Sequence, residues 1–213
     1  KLIIRLEIGD TIVEDMKQFL QNLQNGKESQ LYNPALHCFH KETTAVFEQL
    51  IKMNDDTQKA GDAFIIPPAS WDVLVPLLCR APAVKLVYNN CSYDGFKATN
   101  GPLPLQFLFN EDNRLQVKGL DEIVALPLYN AVFAEGKLVQ LKREDSKRLA
   151  DLKQMLESSG TNNIRIGKEQ LPLFLDRVVP GLKRLGDFQF VGEQFVKTPL
   201  VAKLFLDRVR NRL

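Results

Sequence analysis

His37, Cys38 and His40 stand within four residues, and neutral imidazoles and a thiolate are ligands for zinc. The spacing does not build a site, because adjacent His37 and Cys38 tend to diverge and no second ligand pair lies nearby. Cys79 and Cys91 would have to come from distant parts of the chain. The triplet therefore reads as a packed cysteine between two partly exposed histidines. These are the only two histidines, so general-base chemistry by imidazole is confined to this turn. A thiol enzyme using Cys38 or Cys79 would need an orienting base, and no spacing supplies one. The acidic pairs Asp55-Asp56 and Glu111-Asp112 lie in polar loop sequence and read as solvated turns. No GxxxxGK[ST] or GxGxxG phosphate loop occurs, which argues against a self-sufficient nucleotide site. By its chemistry the chain carries no catalytic motif and no metal site.

Charge is more informative. The net charge of the 213 residues is only +2, too small to announce a nucleic-acid binder. From Asp176 to Leu213, however, eight basic residues (Arg177, Lys183, Arg184, Lys197, Lys203, Arg208, Arg210, Arg212) face four acidic ones (Asp176, Asp187, Glu193, Asp207). That segment is +4 and the remainder −2. It reads either as a solvated face or as a contact surface for phosphate. Aromatics alternate with cations at Tyr93, Phe96 and Lys97, and at Phe188, Phe190, Phe195 and Lys197. Exposed, they would stack bases; at strand spacing they read first as core.

The elements that must position these residues follow from periodicity. Leu103 to Lys142 is a run of short apolar strands, with Leu105, Phe107 and Phe109 on one side and Gln106 and Leu108 on the other. It closes on a hairpin over Glu135-Gly136, and Asp94-Gly95 is a further tight-turn signal. Leu2, Ile4, Leu6 and Ile8 share one face of an opening strand. Helices are predicted over about Glu14 to Leu23, Lys41 to Met53, Asp145 to Glu157 and Lys168 to Val179, the last ended by Pro180-Gly181. Another runs from Trp71 through Leu78, capped by Ser70 and kinked at Pro76. Short strands before the Trp71 and Leu171 helices, Phe64 to Ile66 and Ile164 to Ile166, suggest a duplicated unit. Leu200 to Val209 reads as one arm of a hairpin cut off after Arg210-Asn211.

The expectation is an α+β fold, mostly antiparallel sheet with helices packed on one face and two similar halves, residues 1–100 and 101–213. Three separated cysteines without a signal peptide point to reduced thiols and a cytoplasmic protein. No apolar run spans a membrane. The start at a lysine inside a strand suggests a fragment of something larger.

The stretches LIIRLEIGDTIVEDMKQFLQNLQNG, LPLQFLFNEDNRLQVKG, YNAVFAEGKLVQL and TPLVAKLFLDRVRNRL resemble the helicase-associated region of bacterial Swi/Snf-family (DEAD/DEAH-like) ATPases. The family's apolar strand ending in Ile-Gly is matched by Ile8-Gly9, and its Leu-Phe/Tyr-Leu-Asp strand by Leu204-Phe205-Leu206-Asp207. The resemblance implies a longer polypeptide with a zinc-binding module before this region and a two-lobed, DNA-dependent ATPase after it. ATP and Mg would belong to that parent. The motor's Walker lysine, acidic metal-binding motif and arginine finger are absent here, so no catalytic residue carries over and this segment has no cofactor. It would serve as a non-catalytic accessory domain, engaging duplex DNA or regulating the ATPase core of the same polypeptide. Lys183, Arg184, Lys197, Lys203, Arg208 and Arg210 are then the candidate phosphate contacts. The alternative is a protein-interaction module that never touches DNA, marked by an exposed apolar patch including Trp71.

Overall fold

In the computed structural model, which describes residues 1–54 and 58–192, the alternation of the opening segment decides what it buries. Leu2, Ile4, Leu6 and Ile8 pack against a first core while Ile3 stays exposed. Strands β1 (Ile3–Ile4), β2 (Glu7–Ile8) and β3 (Thr11–Ile12) come from this part. Helix α1 (Met16–Gln24) begins after Asp15, whose side chain accepts from the Gln18 amide at 2.9 Å; that cap places the start two residues later than the acidic sequence suggests. Helix α2 (Lys41–Met53) has the predicted bounds and buries Val46, Phe47, Leu50 and Met53. Strand β4 (Phe64–Ile65) pairs antiparallel with β1. Helix α3 (Trp71–Arg80) contains Pro76. Ser70 makes no side-chain cap, because a 3-10 turn over Pro68–Ser70 leads into α3 and holds it in helical backbone.

The next hairpin, β5 (Lys85–Tyr88) with β6 (Cys91–Asp94), turns on Asn89-Asn90, both at positive φ. Two asparagines supply the left-handed pair that a two-residue turn needs. Gly95, also at positive φ, instead leads out of β6 towards β7 (Ala98–Thr99).

The strands from Leu103 onward divide between two sheets. β8 (Gln106–Asn110) and β9 (Arg114–Lys118) form one hairpin; β10 (Ile123–Leu126), β11 (Ala131–Ala134) and β12 (Lys137–Gln140) form a separate meander. The turn over Glu135-Gly136 joins β11 to β12 with both residues at positive φ, as expected. After helix α4 (Arg143–Ser159) come β13 (Asn163–Arg165), a helical run and β14 (Asp187–Val191). One sheet has the order β13-β9-β8-β14, the other β10-β11-β12-β7. Most pairings are antiparallel; β14 on β8 and β7 on β12 are parallel. The fold is α+β.

The helical run corrects the sequence reading. α5 (Leu171–Leu173) continues through a π-helical turn, Phe174–Val178, into α6 (Val179–Leu185). Pro180-Gly181 therefore does not end the helix. Pro180 directly follows the π-helical turn, where the regular i→i−4 ladder its missing N–H would join is already interrupted.

Two cores result. The first gathers α1, α2 and α3 around Leu20, Leu50, Phe64, Trp71 and Leu74; the second gathers β8, β9, α4 and α6 around Leu105, Phe107, Phe109, Leu149 and Leu182. They meet at the β10-β11-β12 sheet: Ala131, Phe133 and Leu138 belong to the first core, Val132, Ala134 and Val139 to the second. β11, AVFA, is buried on both faces. Tyr129 adds a polar tie, its buried hydroxyl donating to the Ile66 carbonyl at 2.9 Å and accepting from the Leu2 amide at 3.1 Å. The short strands proposed as a repeat pair in different settings, β4 in a two-stranded ribbon and β13 at the edge of a four-stranded sheet. No helix of the described residues is long and apolar enough to cross a membrane.

Candidate functional site

Of the candidate phosphate contacts, Lys183 and Arg184 lie on α6, and both are exposed. Lys197, Lys203, Arg208 and Arg210 fall outside the described residues, as do Phe195, the hairpin over Leu200 to Val209 and Asp55-Asp56.

Arg184 has a specific partner. Its Nη2 donates to Asp145 Oδ1 at 2.7 Å and its Nε to Oδ2 at 3.1 Å, a fork that joins α6 to the first turn of α4. The Asp145 side chain is only 8% exposed, that of Arg184 46%. Arg148, one turn further along α4, points its Nη1 at the same oxygen from 3.7 Å. Gly181 lets this happen: a Cβ there would overlap the Arg148 guanidinium.

Neither Asp145 nor Arg148 follows from motif reading, yet a signal existed. Asp145 is in phase with Leu149, Leu152 and Leu156, the buried stripe of α4. A carboxylate at a core-facing position announces a cation on the facing element.

The Arg184 hydrogen bonds hold the Asp145 carboxyl below its usual value of 3.8, outweighing burial, which pushes it up. The charges of Arg184, Arg148 and Lys142 act in the same direction as the hydrogen bonds. The folded state thus binds this proton less tightly than the unfolded chain. The contribution to stability is complete above about pH 5 and is lost as pH falls through the folded-state pKa. In thermal melts, Asp145→Asn is expected to lower Tm at neutral pH, and the gap to the wild type should close in acid. A gap of constant size down to about pH 3 would remove Asp145 from the acid response.

The other candidates separate. The His37 Nδ1 accepts from the Asn33 amide at 3.1 Å, and the His40 Nδ1 pairs with Glu42. Cys38 is exposed rather than packed. The residue of this turn that packs is Phe39, stacked on Tyr32 with centroids 4.9 Å apart and edge-on to Phe47 at 4.8 Å, because a ring here buries far more area than a thiol. Cys79 and Cys91 are also exposed and free. Among the described residues, no group of three or more His, Cys, Asp or Glu is placed to hold a metal.

Trp71 belongs to no surface patch: it is 2% exposed, edge-on to Phe96 and Tyr129. Phe96 is buried with it, as the strand-spacing argument expects, and Tyr93 packs edge-on to Phe133. Phe188 is half-buried, whereas Phe190 on β14 is 37% exposed. Glu111-Asp112 forms the exposed turn between β8 and β9.

Residues 63–213 match the protein family described as bacterial SNF2 helicase associated. No curated protein and no solved structure matches the chain.

Proposed function

We propose that this chain, which belongs to the bacterial SNF2 helicase-associated family, is a non-catalytic accessory module that helps a Swi/Snf-type, ATP-driven motor engage duplex DNA. It would act while attached to the ATPase core of the same polypeptide, in the cytoplasm, with ATP and Mg bound by that core. Family membership supports the accessory role. The observation that carries the DNA reading is the +4 stretch from Asp176 to Leu213, which includes an exposed Lys183 on α6. Cations in such a stretch neutralise backbone phosphates irrespective of sequence. Lys183, Lys197, Lys203, Arg208 and Arg210 are assigned to this contact; Arg184, whose charge is spent on Asp145, instead positions α6.

The test is fluorescence anisotropy of a labelled duplex titrated with the 213-residue chain across a salt series. The expected result is a Kd of about 1–100 μM that weakens steeply with salt, with a log–log slope of about −0.9 per phosphate contact. Absence of binding even at low salt would refute the DNA reading. A second reading, docking on the motor without DNA contact, draws on the exposed Leu173, Leu175 and Val178 of the α5–α6 run. It predicts an ATPase rate that changes when the domain is removed, with duplex affinity unaltered.

A further inference from the structure

The α4–α6 crossing holds more positive charge than its carboxylates neutralise. Lys142, Arg148 and Arg184 all surround the buried Asp145, and exposed Glu144 lies near Arg184. Residues 142–151 and 183–184 together carry six cations against three carboxylates, a net +3. The two arginines are not equivalent. Arg184 spends its fork on Asp145, in the two-bond geometry that satisfies a carboxylate. Arg148 stands 3.7 Å from the same carboxylate, beyond hydrogen-bond distance, and makes no hydrogen bond among the described residues. Its guanidinium lies against the bare backbone of Gly181 while its side chain stays 46% exposed. A planar donor group with unused N–H bonds is suited to bind a phosphate. Lys142, the exposed residue at the N-cap of α4, adds a second charge near Asp145.

We propose that the crossing of α4 and α6 is a phosphate-binding site, where Arg148, beside Gly181, and Lys142 contact the backbone of duplex DNA while the Asp145–Arg184 pair locks the two helices together. This rests on the DNA reading above and names the part of the described surface that carries it. In this arrangement Arg184 is a positioning residue, and Arg148 is the contact.

The experiment repeats the salt series on the 213-residue chain with three variants, each checked for folding by thermal melt. Arg148→Ala is expected to weaken duplex binding about eightfold at about 0.1 M salt and to flatten the log–log slope by about 0.9, the release of counterions for one phosphate. Arg148→Lys keeps the charge and should restore the slope. Lys85→Ala, at an exposed cation of β5 beside the first core, should leave both quantities unchanged. If the wild type binds with a steep slope and Arg148→Ala matches it, the α4–α6 site is wrong and the DNA reading stands. If Lys85→Ala weakens binding as much as Arg148→Ala, the effect is diffuse charge and the site is again wrong. A wild type that binds no duplex, or only an acidic protein, overturns both.

Discussion

Replacing Trp71 with alanine is expected to destabilise the protein by about 3–5 kcal/mol, the range for deleting a large buried aromatic. The side chain is 2% exposed and starts α3, where it meets Phe96 at 6.1 Å and Tyr129 at 5.6 Å, both edge-on. Those partners come from the connection after β6 and from the segment before β11, so the ring joins three parts of the chain in one contact. None of them can collapse into the space without moving a strand. Tyr129 in addition holds the amide of Leu2 and the carbonyl of Ile66, so tilting it would strand two polar groups. The indole nitrogen is buried with no hydrogen-bond partner among the described residues. The loss on truncation is therefore one of packing and not of a polar bond. Urea denaturation followed by circular dichroism measures the change. A loss below about 1 kcal/mol would mean that Trp71 does not organise the first core. An effect on partner binding without one on stability would return it to the surface.

Gly186→Ala is expected to cost about 3 kcal/mol, at the upper end for overpacking. Backbone strain is not the reason, since φ at Gly186 is −168°, extended geometry open to any residue. The cause is contact: a Cβ there would overlap the carbonyl oxygen of Leu105. That carbonyl already accepts from the Asp187 amide at 2.9 Å, and the Leu103 amide donates to Leu185 at 2.8 Å on the other side of the junction. Relief would require separating the α6–β14 connection from the start of β8, which breaks these bonds and the parallel pairing that follows. Gly181 offers the contrast, because a methyl there meets only the end of the flexible Arg148. Trp71, the single tryptophan, reports the Gly186 variant from the other core. Because both cores share the β10-β11-β12 sheet, its fluorescence midpoint in urea should fall together with the far-ultraviolet signal. Wild-type stability in Gly186→Ala would show that the junction is looser than its contacts imply.

Local pattern was legible in the sequence to the extent that neighbours determine it. Leu105, Phe107 and Phe109 alternate onto one buried face because successive strand residues point to opposite sides. Val46, Phe47 and Leu50 gave α2 its bounds for the matching helical reason. Glu135-Gly136 closed its hairpin as read, and the SNF2 helicase-associated family was readable from these same apolar phrases. The long-range choices were not. That the strands from Leu103 to Lys142 divide between two sheets, with β14 parallel on β8, depends on pieces far apart in the chain that periodicity does not relate. The same holds for Arg184 and Asp145, 39 residues apart. As sequence, Arg184 is one cation in a basic run; only the crossing of α4 and α6 gives it a buried carboxylate and leaves Arg148 with donors to spare. Pro180-Gly181 looked like a helix stop, because local propensity disfavours both residues within a helix. Tertiary packing overrode it, since a π-turn and a first-turn position absorb the proline and the bare glycine leaves room for the arginine of α4. The sequence by itself determined which faces are apolar and roughly where each element lies. The tertiary structure alone decided which charges are paired and which stay open to a partner, because a charge is neutralised by what folds against it and not by what precedes it in the chain.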